Sequence, residues 1–281
     1  MTPVYRDAAP PNRNLSAHVL SRRGFLASAA MLCAAAANSS RGDEAGALDL
    51  SPRIVRGRKF LAGLFDPSLN LLPEFAGAKS YWLFHDNYLA AKVLKPTHPE
   101  MAGKIIEAIH GYGARVSGKI EILFDESPHP LPFRHYRLSE VKRIGEKIIR
   151  NEVVSDDEFV GWRDYADLLC FAVVAQARTE PTKARECITA AEAMWDGKGF
   201  LDPPAREGGT YATYKLALAL LAARKAGVKL RAQTAVIGRL VAQQNEAGGW
   251  VTDYTAEGKP LGQANVETTS LAILALDAAA G

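Results

Sequence analysis

His85-Asp86-Asn87-Tyr88-Leu89-Ala90, Asp164-Tyr165-Ala166-Asp167-Leu168-Leu169 and Thr210-Tyr211-Ala212-Thr213-Tyr214-Lys215-Leu216-Ala217 repeat one plan, in which a few polar residues open an apolar helix. Glu267-Thr268-Thr269-Ser270-Leu271-Ala272 opens another. Each of the first three is followed by a second helical stretch and a glycine-aromatic loop: Gly111-Tyr112-Gly113, Gly197-Lys198-Gly199-Phe200 and Gly248-Gly249-Trp250. A single helical hairpin cannot bury its apolar face, whereas stacked hairpins share one apolar layer and bring equivalent helix ends together. The repeat therefore predicts a mainly α fold with the acids, amides and tyrosines of the helix starts gathered round one mouth.

Working outward, Ile54 to Phe65 reads as a short helix stopped by Asp66-Pro67, and Tyr81 to Lys95 as the first helix of the repeat, ended by Pro96. A partner helix begins near Pro99, with Ile105, Ile106 and Ile109 on its inner stripe. Helices are expected over 161–178, 182–195, 209–226, 231–244 and 264–280. The first, third and fifth of these are apolar around most of their circumference, so they form an inner layer, and the more charged second and fourth face water. Lys119-Ile120-Glu121-Ile122-Leu123-Phe124 alternates like a strand, and Pro128, Pro130 and Pro132 forbid regular helix after it. The stretch at about 118–140 therefore reads as a small β insertion, while Leu138 to Arg150 suits helix or strand.

At the N-terminus, Ser21-Arg22-Arg23-Gly24-Phe25-Leu26 precedes an uncharged run from Ala27 to Ala37. A twin arginine before a moderately apolar segment is an address for the Tat export machinery, so residues 1–37 read as a signal peptide and 38–52 as a linker. The domain then spans 53–281, and the expected location is the periplasm or the extracellular space. The apolar run is shorter than the ~20 residues a stable membrane span needs. Residues 1–37 carry four arginines against one aspartate, a net +3 that equals the charge of the whole chain. The mature part is thus near neutral, with no basic field for nucleic acid. Its cysteines, Cys170 and Cys187, lie in expected helices and read as buried free thiols, with a disulfide between them the alternative in an oxidising compartment. There is no zinc-like Cys/His spacing and no phosphate-binding glycine loop, so neither a metal nor a cofactor is expected.

Gln243-Gln244-Asn245-Glu246-Ala247-Gly248-Gly249-Trp250, before a threonine-opened apolar helix, resembles the Gln/Gly/Trp repeat of terpenoid cyclases and protein prenyltransferase β subunits. Trp195-Asp196-Gly197-Lys198-Gly199-Phe200 is similar to a weaker copy, and the resemblance covers roughly Trp162 to Ala280, more loosely Tyr81 to Tyr112. It implies an α/α toroid, a ring of about four hairpins that is closed or an open arc. The family's chemistry does not follow, because Val154-Ser155-Asp156-Asp157 replaces the cyclase acid motif by a valine at its first position, and Val160 breaks a magnesium-binding aspartate motif. Neither Cys170 nor Cys187 sits in a loop suited to a prenyltransferase zinc.

The candidate acid/base groups are Asp86, Asp164, Asp167 and Glu267, and the candidate substrate-binding groups are His85, Asn87, Tyr211, Tyr214 and Trp250. Asp86, Asp164, Thr210 and Asn265 equally suit helix caps. Asp167 lies one turn inside an apolar helix and needs a partner, which Lys215 or Tyr214 on a neighbouring helix can supply. Tyr211 and Tyr214, three apart, are expected to share a helix face. Two functional readings follow: an exported enzyme acting on a bulky isoprenoid or polysaccharide at the helix N-termini, or a non-catalytic protein that binds a ligand or partner. Carboxylates converging in an open pocket favour the first; acids tied to structural partners favour the second.

Overall fold

The computed structural model describes residues 49–115, 117, 119–126 and 131–280; the twin-arginine segment and most of the linker lie outside them. Helix α1 (Ser51–Gly63) comes first, and α2 (Leu89–Leu94) and α3 (Pro99–Gly111) form a hairpin. So do α4 (Ala166–Gln176) with α5 (Pro181–Ala193), and α7 (Thr213–Lys225) with α8 (Gln233–Ala242). The short α6 (Pro203–Gly208) precedes α7, and α9 (Val266–Ala280) comes last. Proline stands in the first turn of α1, α3 and α5, where its missing N–H breaks no helical bond. Helix α9 packs against α2 and α7, and α7 packs against α4, so four helices make an inner row. Their faces alternate large and small: Leu216, Ala217, Leu218, Ala219 and Leu220 of α7 are all buried. Helices α3, α1, α8 and α5 cover this row from outside.

The expected mainly α toroid is corrected by two three-stranded sheets. In the first, β1 (Ser80–Trp82) runs parallel to β3 (Lys147–Glu158), and β2 (Arg134–Ile144) pairs antiparallel with β3. In the second, β4 (Thr210–Ala212), β5 (Val251–Thr255) and β6 (Pro260–Ala264) are antiparallel. The β2–β3 hairpin turns at Gly145 with φ 59°, a conformation that favours glycine. The insertion is therefore longer and later than the expected 118–140. Residues Ile120–Phe124 form a 3-10 helix rather than a strand. Alternation misled there because Lys119 and Glu121 are as buried as Ile120 and Ile122, so no polar face meets water. The expected helix starts at Tyr81 and 209 are strand, because Ser80–Trp82 and Thr210–Ala212 find hydrogen-bonding partners on chain remote in sequence.

Residues Leu83–Tyr88, between β1 and α2, form a π-helical turn, a rare geometry frequent at functional sites. Asp66 fastens the hairpin to the helical body. It accepts hydrogen bonds from Lys147 Nζ at 2.5 Å, Ser68 Oγ at 2.7 Å and Tyr81 Oη at 2.9 Å. Burial opposes its ionisation, yet these three donors outweigh that and hold the carboxyl well below the usual carboxylate range. A depressed folded pKa contributes stability that is complete above the unfolded value of about 3.9 and is lost as pH falls towards the folded one. The urea midpoint should thus fall below about pH 4, and Asp66→Asn should flatten the fall. Equal slopes in both proteins would remove Asp66 from the acid response.

Candidate functional site

The polar helix starts form two buried knots rather than one open mouth. In the first, Asp167, in the opening turn of α4, accepts a hydrogen bond from Tyr214 Oη at 3.1 Å. Asp202, fully buried just before α6, accepts from the Ala166 backbone N–H at 3.2 Å and pairs with Lys215 Nζ. The carboxylate thus supplies, from 36 residues away, the anion that the start of α4 favours. Burial pushes the Tyr214 phenol well above its usual value, and the charges of Asp167, Asp202 and Glu267 push it further. Three acids therefore crowd one tyrosine. Glu267 itself lies half-buried in the first turn of α9.

In the second knot, His85 Nδ1 lies 2.9 Å from Glu152 Oε2 of β3, both side chains being buried. Asp86, next in the π-helical turn, is only 1% exposed. Lys119 Nζ sits 4.9 Å from the Phe171 ring centre and 5.3 Å from that of Tyr136, close enough for cation–π attraction. Burial, followed by the charges of Glu152 and Glu121, raises the Tyr136 phenol. Glu121 is held by the N–H and hydroxyl of Ser117, each at 2.5 Å. The space lined by Lys119, Phe133, Tyr136 and Leu168 is about 20 Å³, room for a single water.

The other predicted residues have architectural places. Asn87 is fully buried; its side chain accepts from Leu72 N–H and donates to the Leu72 and Trp82 carbonyls. Asp164 is exposed on the short 3-10 turn Trp162–Asp164 and does not cap α4, whose N-cap residue is Tyr165. Tyr211 does not share a helix face with Tyr214, because Tyr211 belongs to β4 and Tyr214 to α7. Its ring stacks on Tyr254 at 5.5 Å, and its hydroxyl donates to Asp196. Thr210 is likewise in β4, whereas Asn265 does cap α9, its Oδ1 accepting from Thr268 N–H at 2.8 Å. Trp250 is a pin: its indole Nε1 donates to the Leu240 carbonyl of α8 at 2.8 Å, and its backbone N–H to Thr269 Oγ1 at 2.9 Å.

Sequence reasoning offered Lys215 or Tyr214 as the partner of Asp167; Tyr214 takes that place and Lys215 pairs with Asp202. It missed a role for Asp202, Glu152, Lys119 and Glu121. Asp202 carries a faint signal, an acid immediately before Pro203-Pro204 at a helix start. Glu152 and Lys119 are placed by contacts far apart in sequence, with His85 and Phe171, whereas Glu121 is held locally by Ser117. Among the described residues, no group of three or more His, Cys, Asp or Glu could hold a metal ion, and no helix is long and apolar enough to cross a membrane. Cys170 and Cys187 are buried free thiols. No protein-family model, curated protein or solved structure matches the chain.

Proposed function

We propose that this is an exported, non-catalytic ligand-binding protein. The observation that carries the reading is the Tyr214–Asp167 and Lys215–Asp202 arrangement: buried acids at the helix starts engaged in holding neighbouring helices together. A general acid or base must reach the proton it moves, within hydrogen-bond distance or through one water. Three of the four expected acids meet that need poorly, since Asp164 lies outside while Asp86 and Asp167 are buried, which leaves the half-buried Glu267 alone. Export by the Tat machinery rests on the Arg22-Arg23 segment, outside the described residues. The resemblance to terpenoid-cyclase repeats around Gln243 to Trp250 supports a helical scaffold used for binding.

The test starts from compounds that copurify with the protein from its native source. Returned to purified protein, they are expected to rebind and to be recovered unchanged by mass spectrometry. Asp164→Ala should shift folding stability by no more than about 0.5 kcal/mol, as exposed substitutions do, and should leave binding intact. Chemical conversion that vanishes in a folded Asp167→Asn variant would establish an enzyme instead.

A further inference from the structure

A groove of about 280 Å³ separates the end of α5 from the start of α8. Its walls are Ala193, Trp195 and Phe200 on one side and Leu230, Ala232 and Val236 on the other. Trp195 and Phe200 pack edge to face with ring centres 5.5 Å apart, and a β-bridge between their backbones fixes them. Three polar side chains complete the lining: Thr189, Glu192 and Arg231. Glu192 Oε1 accepts the backbone N–H of Arg231 at 2.6 Å, which ties one wall to the other. This carboxylate is thus engaged with the chain, while the Arg231 side chain is exposed, with Lys229 also exposed two residues before it.

Resting on the ligand-binding reading above, we infer that this groove takes a fatty-acid-like amphiphile. The aliphatic chain lies against Trp195, Phe200, Leu230 and Val236, and a carboxylate head stays at the Arg231 mouth. The mainly apolar walls suit an aliphatic chain better than a sugar. A saccharide bears hydroxyls along its whole length, and each one desolvated against an apolar wall without a partner is unfavourable. An alkyl chain instead gains with every methylene buried. Charge selects the head group: a cation at the mouth of a low-dielectric groove attracts an anion.

The test uses full-length protein labelled at its methyl groups, titrated with decanoate below its micelle concentration and observed by NMR. Decanoate is expected to shift the methyls of Ala193, Leu230 and Val236. Decanol should bind at least threefold more weakly, and Arg231→Gln should abolish that preference. Ala193→Trp, at an exposed position on the wall, should weaken decanoate at least tenfold while the remaining methyl spectrum stays native. Unmoved groove methyls, decanol binding as tightly as decanoate, or an ineffective Ala193→Trp would each overturn the inference. Maltohexaose shifting those methyls in place of decanoate would also overturn it, yet leave the ligand-binding reading standing. Turnover of a copurified compound would instead remove that reading.

Discussion

Lys215→Met is expected to destabilise the protein by about 3–5 kcal/mol, because it removes one partner of a buried ion pair. Asp202 is fully buried and Lys215 nearly so. Methionine keeps most of the length and apolar volume of the lysine, so packing changes little and the lost charge dominates. The Asp202 carboxylate retains the Ala166 N–H, but one neutral donor does not offset the desolvation of an ion. Asp167 and Glu267 act on the same Tyr214 as Asp202 does, so Lys215 is a cation set in a cluster of acids and its loss leaves that cluster more negative. Urea unfolding measures the effect. Replacing both partners, Lys215→Met with Asp202→Leu, should recover part of the loss, since an apolar pair strands no charge. A single variant within about 1 kcal/mol of the parent would show that water already compensates Asp202.

Trp250→Ala should cost a similar amount, about 3–5 kcal/mol, through the cavity left by a large core side chain. Trp250 is fully buried and joins α8 to α9 through the Leu240 carbonyl and the Thr269 hydroxyl. Its ring also presses on α1, where a Cβ placed on Gly57 would stand 2.7 Å from it. The alanine variant loses the ring contacts with α1 and α8 and leaves the Leu240 carbonyl short of a donor, while its backbone N–H still reaches Thr269. Trp250→Phe should recover most of the packing but not the indole hydrogen bond, giving an intermediate unfolding midpoint. Should Trp250→Ala instead keep its midpoint and alter only ligand affinity, the residue would belong to a binding site and not to the scaffold.

Periodicity marked the helices because a helix writes its own pattern: Ile105 and Ile109, or Leu216 and Leu220, repeat at intervals set by local geometry. Proline starts and glycine reversals are local too, which is why the loop at Gly248-Gly249-Trp250 could be read before any coordinates. The strands Ser80–Trp82 and Thr210–Ala212 had no such signature. Three residues carry too short a pattern to separate from a helix start, and their identity as strands depends on partners at Ile148–Arg150 and Asp253–Thr255. The same limit applied to the polar ends. That Asp167 needs a partner was legible because a buried acid must be paired, but the choice of Tyr214 over Lys215 was not.

What the chain determined by itself was the period of its helices, the glycine turns between them, and the need for every inward acid to find a partner. Of the four expected caps only Asn265 caps a helix. Only the tertiary structure decided which partner: Lys215 for Asp202, Tyr214 for Asp167, Glu152 beside His85. It also turned the expected ring of hairpins into a helical body with two small sheets, and it put Trp195 on a groove instead of in the core. The physical reason is range. Backbone propensity and amphipathic period act over a few residues, whereas ion pairs, sheet partners and grooves join segments tens of residues apart, and their energies are settled by packing.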